Sequence, residues 1–439
     1  MCYTLNPHFM EAFVMIRVPN GLNIIRQLLV GTGGRSHEVT SMRGFVTPLL
    51  ALAVLVTSTT AAQALPDATR DNDLGVNGPV RAVLEAGGHV WVGGQFTQVV
   101  KNQGTVVNVD AETNLAAFDL AGNTALNIGP KLGGTSSIVY DLSLGADGLM
   151  YVAGKFNGDG ATNLVAVNPE SGAVVQAYTI STTLYSVHRD ATTLWAGART
   201  ALYNVTGPTT KQTAVSVATQ GGTPERPRTP QVSDIISAPQ GGVFIACKCD
   251  TLGGEPSKAF AHITASGGYD TTWRPDAGVN AFGWEIALSA DGTVAYLAAG
   301  GSDFVEAVQT TDAATVWKRD VNGQAQSVTV SGNRLLVGGH FRLVEDYCQP
   351  RLAALDLANG RLDTSWTPAP NPKYPGVWSV IDVTGSVWAG GEFTKMGTDW
   401  QRDSSGGCVY KVVNGVPDDS MPLVSGTNLS ARNLAVFAG

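Results

Sequence analysis

The phrase "VWVGGQFT" at Val90–Thr97 returns as "YVAGKF" from Tyr151, "LLVGGHF" from Leu335 and "VWAGGEFT" from Val387. One short apolar phrase cannot bury itself alone. Copies of it must stack on one another. Aligned on Trp91, the copies fall at Tyr151, Trp195, Phe244, Tyr296, Leu336 and Trp388, so 40–60 residues separate each from the next. A return at that spacing marks a propeller or another array.

The surroundings of each copy repeat as well. A short apolar strand precedes it, as in "VRAVLEA" from Val80 and "WEIALSA" from Trp284. A tight turn lies between, such as Gly87-Gly88, Asp147-Gly148 or Asp291-Gly292. These residues tolerate the positive φ of a two-residue hairpin. A third strand follows a loop, as in "NLAAFDL" from Asn114, and a fourth follows in places, as in "RLDTSW" from Arg361. The pattern predicts an all-β fold, a seven-bladed β-propeller of four-stranded antiparallel blades. Two stacked sandwiches give no reason for the repetition, and β-helix turns are shorter. The large anchor residue should pack on the next blade, with Gly93-Gly94 and Gly390-Gly391 allowing close backbone approach. The Phe that follows (Phe96, Phe156, Phe341, Phe393) should close the blade end. "NLAVF" from Asn433 copies a third strand and then the chain stops. Leu65–Leu74 is therefore expected to supply the outer strand of the last blade, so that the mature N-terminal strand closes the ring.

Residues 1–64 read differently. Arg43 starts a short positive segment, Phe45–Val56 is apolar but short for a bilayer, and Ala62-Gln63-Ala64 is a small-x-small cleavage site. This predicts a signal peptide at 42–64 cut after Ala64, an upstream extension at 1–41, and a propeller at 65–439. The location expected is secreted or cell-envelope. Arg17, Arg26, Arg35, Arg43, Glu11 and Glu38 leave with the leader. The 28 basic and 36 acidic residues become 24 and 34, a net charge of −10. A sparsely charged, negative chain argues against nucleic acid as a partner. No later stretch is long and apolar enough for membrane insertion after cleavage.

The phrases "VWVGGQFT … NLAAFD" and "RLAALDLANGRLDTSW" resemble the delta-60 repeat family of bacterial β-propeller proteins. The similarity covers nearly all of 65–439. It is strong at repeats one, two, six and seven, and degenerate where "LWAGART", "VFIACKCD" and "VAYLAAGG" lose the Phe. The resemblance implies a propeller and an exported location. It implies no particular chemistry, so function rests on this chain's own loops.

Hairpins between strands one and two, or three and four, open on one face of a propeller. Here they are minimal. The other face carries long loops, at 97–113, 250–258, 342–350, 394–430 and 219–231, and is the expected site. Tyr347, Tyr374 and Trp400 sit there in non-repeating sequence and could stack on a sugar or grip a peptide. Arg226 and Arg228 stand in the stiff "TPERPRTP" and could meet an acidic group. Trp273 and Trp366 share a repeat position and read as structural.

His89, His188, His262 and His340 lack metal-ligand spacing. "NGDGATN" at 157–163 reads as a polar turn rather than a calcium loop. No nucleophile elbow, zinc-protease helix motif or phosphate-binding loop is present, and no cofactor is expected. Cys348 and Cys408, in long loops of adjacent repeats, are expected to form a disulfide. Cys247 and Cys249 could remain thiols, or bridge if the strand kinks, with a redox or metal use the lesser alternative. The sequence thus predicts a non-catalytic binding or scaffold module for an extracellular or envelope glycan or protein. The alternative is a polysaccharide-acting hydrolase or lyase at the mouth of the central channel.

Overall fold

The computed structural model describes residues 9–17, 23–31, 74–101, 105–106, 114–120, 124–219, 222–223, 226–227, 229–368, 370, 376–392 and 434–437. The chain divides into two units, Met1–Thr59 and Thr60–Gly439. In the first, strands Phe9–Arg17 and Asn23–Gly31 pair antiparallel along their whole length. The second unit holds the repeats and contains no helix among the described residues.

Each recurring phrase is the second strand of a sheet. Val80–Ala86 and His89–Gly94 form a hairpin through Gly87 and Gly88, whose φ values are 62° and 76°. Two successive positive φ values match the twist of the paired strands. Near the start of the third strand one residue also takes positive φ: Asn114, Ala259 and Arg351 just before it, and Asn163 within Ala161–Val167. Asn163 is fixed there by its own amide, which accepts from the Phe156 N–H (3.1 Å) and donates to the Ile180 carbonyl (2.7 Å).

Six sheets form blades, five of them with four strands, in place of the seven four-stranded blades expected. Their first strands are Val80–Ala86, Ile138–Leu144, Ser186–Arg189, Gln231–Ser237, Phe282–Leu288 and Ala325–Ser331. In the sixth the outer strand shrinks to one bridge, Leu355 with Leu362. A three-stranded sheet follows: Val377–Val383, Ser386–Gly391 and Leu434–Phe437. It has no fourth strand among the described residues. Each first strand packs on the next. Val377–Val383 packs on both Ala325–Ser331 and Val80–Ala86, so the ring closes. This is an all-β propeller.

The expected closing strand also needs correction at its end. Leu74 begins a strand, Leu74–Val76, that pairs with Val99–Lys101 of the first repeat's loop. Leu74, Val76 and Val99 are all buried there in one cluster with Val383 and Trp388 of the last sheet, so the backbone pairs with the loop while the side chains also cover that sheet. Residues 65–73 lie outside the described residues.

The core lies between sheets. Trp91 is fully buried with Leu132, Val139 and Met150 of the next blade. Trp195 packs with Val232 and Ile235, and Trp388 with Val80 and Val90. The Trp91 indole donates to the Pro169 carbonyl at 3.2 Å. Glycine is needed where sheets approach. A Cβ on Gly93 would lie 2.5 Å from Val139 Cγ1, and one on Gly390 would lie 2.3 Å from Val80 Cγ1. Phe96, Phe156 and Phe341 are buried at the blade ends as expected. Phe393 lies outside the described residues.

Candidate functional site

The first strands carry a recurring defect. Pairing with the second strand skips one residue in six sheets, and the skipped residues are Arg81, Tyr140, Ser233, Trp284, Gln326 and Trp378. Each is a β-bulge, which re-aims one side chain and strengthens the local twist. Innermost strands line the channel of a propeller, so these bulges set the side chains at its mouth. The mouth faces the long loops. Bulges sit near the start of first strands, and that end adjoins the far end of second strands, where the long loops leave.

A row of side chains crosses the mouth. The Arg81 guanidinium lies 4.3 Å from the Trp378 ring centroid. Trp378 meets Trp284 edge to face at 5.3 Å. The Lys248 ammonium lies 3.9 Å from the Trp284 ring centroid. Two indoles therefore lie between two cations in a row from the first blade to the fourth. Such cation–π contacts contribute about 0.5–2 kcal/mol each, more when desolvated. The row is tied at one end and within: Arg81 pairs with Glu392 at 3.0 Å, and the Trp284 indole donates to Gln324 Oε1 at 3.1 Å. Beside it Tyr140 and Tyr185 stack at 4.8 Å, and Arg199 Nε donates to the Tyr185 hydroxyl at 2.9 Å. Burial raises the Tyr140 hydroxyl's pKa, so it stays a neutral phenol.

One residue deeper stand three carboxylic acids. Asp141 accepts the Val187 N–H at 2.7 Å, Asp234 accepts the Ile286 N–H at 2.8 Å, and Glu285 accepts the Val328 N–H at 3.1 Å. Each reaches across to the first strand of the following blade. Ser379 takes the same part at the seam, its hydroxyl receiving the Val83 N–H at 3.1 Å. The acids keep some surface toward the channel, yet protein encloses the carboxyl groups. Burial, and then the charge of Asp234, push Asp141 up to about 7. Burial pushes Asp234 up to about 6, and burial with Asp234 and Asp141 pushes Glu285 well above the ordinary range. Burial thus favours the protonated form of all three acids.

The loop residues singled out from sequence do not gather. Tyr347 is exposed (56%) on a short strand with Cys348. Arg226 lies in a two-residue strand opposite Thr223. Arg228, Tyr374, Trp400 and Cys408 lie outside the described residues. Cys348 is disulfide-bonded. Cys247 and Cys249 are bridged, with Cα atoms 5.3 Å apart. The strand Val243–Lys248 ends between them, which supplies the kink that a bridge requires.

The other signals are structural. His262 is held between Asp270 (2.9 Å) and the Gly241 carbonyl (2.8 Å), while His188 meets Ser237 at 2.7 Å. Asp159-Gly160 is a two-residue hairpin turn whose Asp accepts the Lys131 N–H. Trp273 is buried, its indole donating to the Gln309 carbonyl, and Trp366 is buried too. Among the described residues no group of three His, Cys, Asp or Glu is arranged to hold a metal ion.

Sequence reading missed the bulges and the acids. Their trace is present: "VRAV", "VYDL", "VSDI", "GWEI", "AQSV" and "VWSV" each insert one residue into an alternating strand.

No family model matches this chain, and no curated protein matches it. Solved propellers resemble it in outline. The WD40 β-propeller domain of Doa1 is 11% identical, with a TM-score of 0.49, over 75% of this chain and 94% of that one. The β-propeller domain of Cps50 (Swd1) from Myceliophteria thermophila is 12% identical, at 0.45, over 72% and 94%. BamB from Moraxella catarrhalis is 8% identical, at 0.41, over 72% and 94%. The propeller assignment itself rests on the sheet order and ring contacts of this chain.

Proposed function

We propose that this chain is an exported propeller of the delta-60 repeat type. It acts as a non-catalytic binding or scaffold module for an envelope or extracellular glycan or protein. The leader at 42–64 and the repeat phrases support export and kinship. Residues 65–73 would complete the three-stranded sheet at the seam.

The observation that carries the binding reading is the row Arg81, Trp378, Trp284 and Lys248 across the channel mouth. Aromatic and cationic groups from separate sheets converge there, on the long-loop side, where binding energy concentrates in a few anchors. Tyr347, exposed in a loop of the sixth repeat, supplies a further aromatic contact at the rim.

The test is retention of purified chain on immobilised envelope polysaccharide and envelope protein. Trp284→Ala with Trp378→Ala should abolish retention, since each anchor costs about 2 kcal/mol or more. His89→Ala, in a short hairpin on the opposite face, should leave it intact. Retention unchanged by the double substitution overturns the mouth as the site.

A second reading has its own observation. Three carboxylic acids with raised pKa values line one channel, and glycosidases work with a pair of them. Each acid here is also committed to a backbone N–H of the neighbouring blade, which is a structural duty. Release of reducing ends from polysaccharide by the wild type, lost in Glu285→Gln, would favour the enzyme.

A further inference from the structure

The channel mouth concentrates positive charge on a chain whose formal net charge is −8. Arg81 is matched by Glu392. Lys248 and Arg199 have no carboxylate within ion-pair distance among the described residues. Lys248 is also enclosed, its ammonium 3.9 Å from the Trp284 ring centroid and 5.4 Å from that of Phe282. Burial, and then the charges of Arg199 and Arg81, draw its pKa down to about 8. A desolvated ammonium near two guanidinium groups is costly, and an anion placed among them offsets both causes. The deeper acids do not supply that anion. Each of them already serves a backbone N–H of the neighbouring blade, and none is within ion-pair distance of Lys248 among the described residues.

Neutral polar groups of the bulges stand ready beside the charge. Gln326 is 3% exposed, and neither end of its amide has a protein partner. The Trp378 indole N–H and the Ser233 hydroxyl likewise have none. These donors and acceptors come from three separate sheets around one channel. They suit a ligand bearing several hydroxyl groups around a compact ring. An acidic peptide also brings a carboxylate, but its remaining polar groups lie along a strand, not around a ring. The ring of Tyr185 beside Arg199 offers a flat apolar surface for sugar C–H groups.

We infer that the mouth takes a uronic acid unit of an acidic polysaccharide. Its carboxylate is held by Lys248 and Arg199, and its hydroxyls are met by the Gln326 amide and the Trp378 indole. This rests on the binding-module reading and names its ligand class.

Titration calorimetry on the full chain tests it. The probes are tri-galacturonate, the neutral trisaccharide made by reducing its carboxyls, and poly-glutamate. Tri-galacturonate should bind at least about tenfold more tightly than the neutral sugar, as expected for one charge-assisted contact. Lys248→Met and Arg199→Gln should each erase that preference, while Lys248→Arg keeps it. Arg199 is exposed, so its substitution carries the comparison even if Lys248→Met fails to fold. Equal binding of charged and neutral sugar overturns the acidic-sugar assignment and leaves the binding-module reading standing. Tighter binding of poly-glutamate overturns it in favour of an acidic protein partner. Binding of neither sugar, with envelope retention still dependent on Trp284 and Trp378, overturns the ligand class alone. Loss of that retention dependence as well overturns both.

Discussion

Trp284 and Trp378 meet edge to face, ring centroids 5.3 Å apart, although the sheet that carries Gln326 stands between theirs in the ring. Only side chains that leave their own sheets and cross the channel can make such a contact. The bulges that skip both residues in strand pairing make this possible. The mouth is therefore a product of six local irregularities, and each of them can be tested.

The first prediction concerns bulge geometry. Trp378→Ala should free the Arg81 guanidinium and remove the edge contact with Trp284, but leave the pairing of Val377–Val383 intact. Trp284 fluorescence should shift to longer wavelength as water reaches it. The melting temperature should fall only slightly, since cation–π and aromatic contacts contribute about 1 kcal/mol each. An unchanged spectrum refutes the contact.

The second concerns the seam. Gly390→Ala places a methyl 2.3 Å from Val80 Cγ1, with Val83 Cγ2 at 2.9 Å. Overpacking of this kind costs about 1–3 kcal/mol. A Val80→Ala change made together with it should recover part of the loss. Thermal melts of the two single variants and the pair decide this, and simple additivity would refute direct apposition.

The third concerns pH. Burial and the neighbouring Asp234 hold Asp141 at about 7, and burial holds Asp234 at about 6. The folded chain thus keeps protons that the unfolded chain releases from the ordinary aspartate range upward. Stability should fall as pH rises through that window, up to about 7. Asp141→Asn keeps an oxygen for the Val187 N–H and cannot ionise. It should raise the melting temperature near pH 8 more than near pH 5. Equal effects at the two pH values refute the raised pKa.

The fourth concerns covalent links. Mass spectrometry of unreduced peptides should recover Cys247 joined to Cys249, and Cys348 joined to Cys408. Cys408 appearing as a free thiol refutes the second pairing.

The last concerns residues 65–73. Their deletion should leave a sheet edge unpaired and promote aggregation or an earlier melt. A melt identical to that of the full chain refutes their role at the seam.

The sequence made the repeat legible because "VWVGGQFT" and its copies carry buried anchors and close-approach glycines, whose spacing survives substitution. Trp91, Trp195 and Trp388 are each buried on the next sheet, as that spacing implies. The outer strands were less legible. They are half-exposed and weakly patterned, so the fourth strand of the sixth blade is a single bridge at Leu362, and Leu74 pairs with a loop. The mouth was least legible. Arg81, Trp284 and Trp378 look like ordinary strand residues until pairing shows that each is skipped, and their convergence depends on sheets far apart in sequence. The loop aromatics drew attention because their sequence does not repeat, and Tyr347 stands exposed without a described cluster around it.

At the seam, Arg81 pairs with Glu392 and the Val83 N–H with Ser379, partners 311 and 296 residues apart. Every other neighbouring pair of described sheets is consecutive in the chain, so those interfaces close over short separations. The seam cannot. Until the last repeat emerges, Val80 and Val83 face water, and the nascent ring is an open crescent with an apolar end. A protein cut short before Val377 should persist as an arc that binds chaperones rather than as a smaller ring.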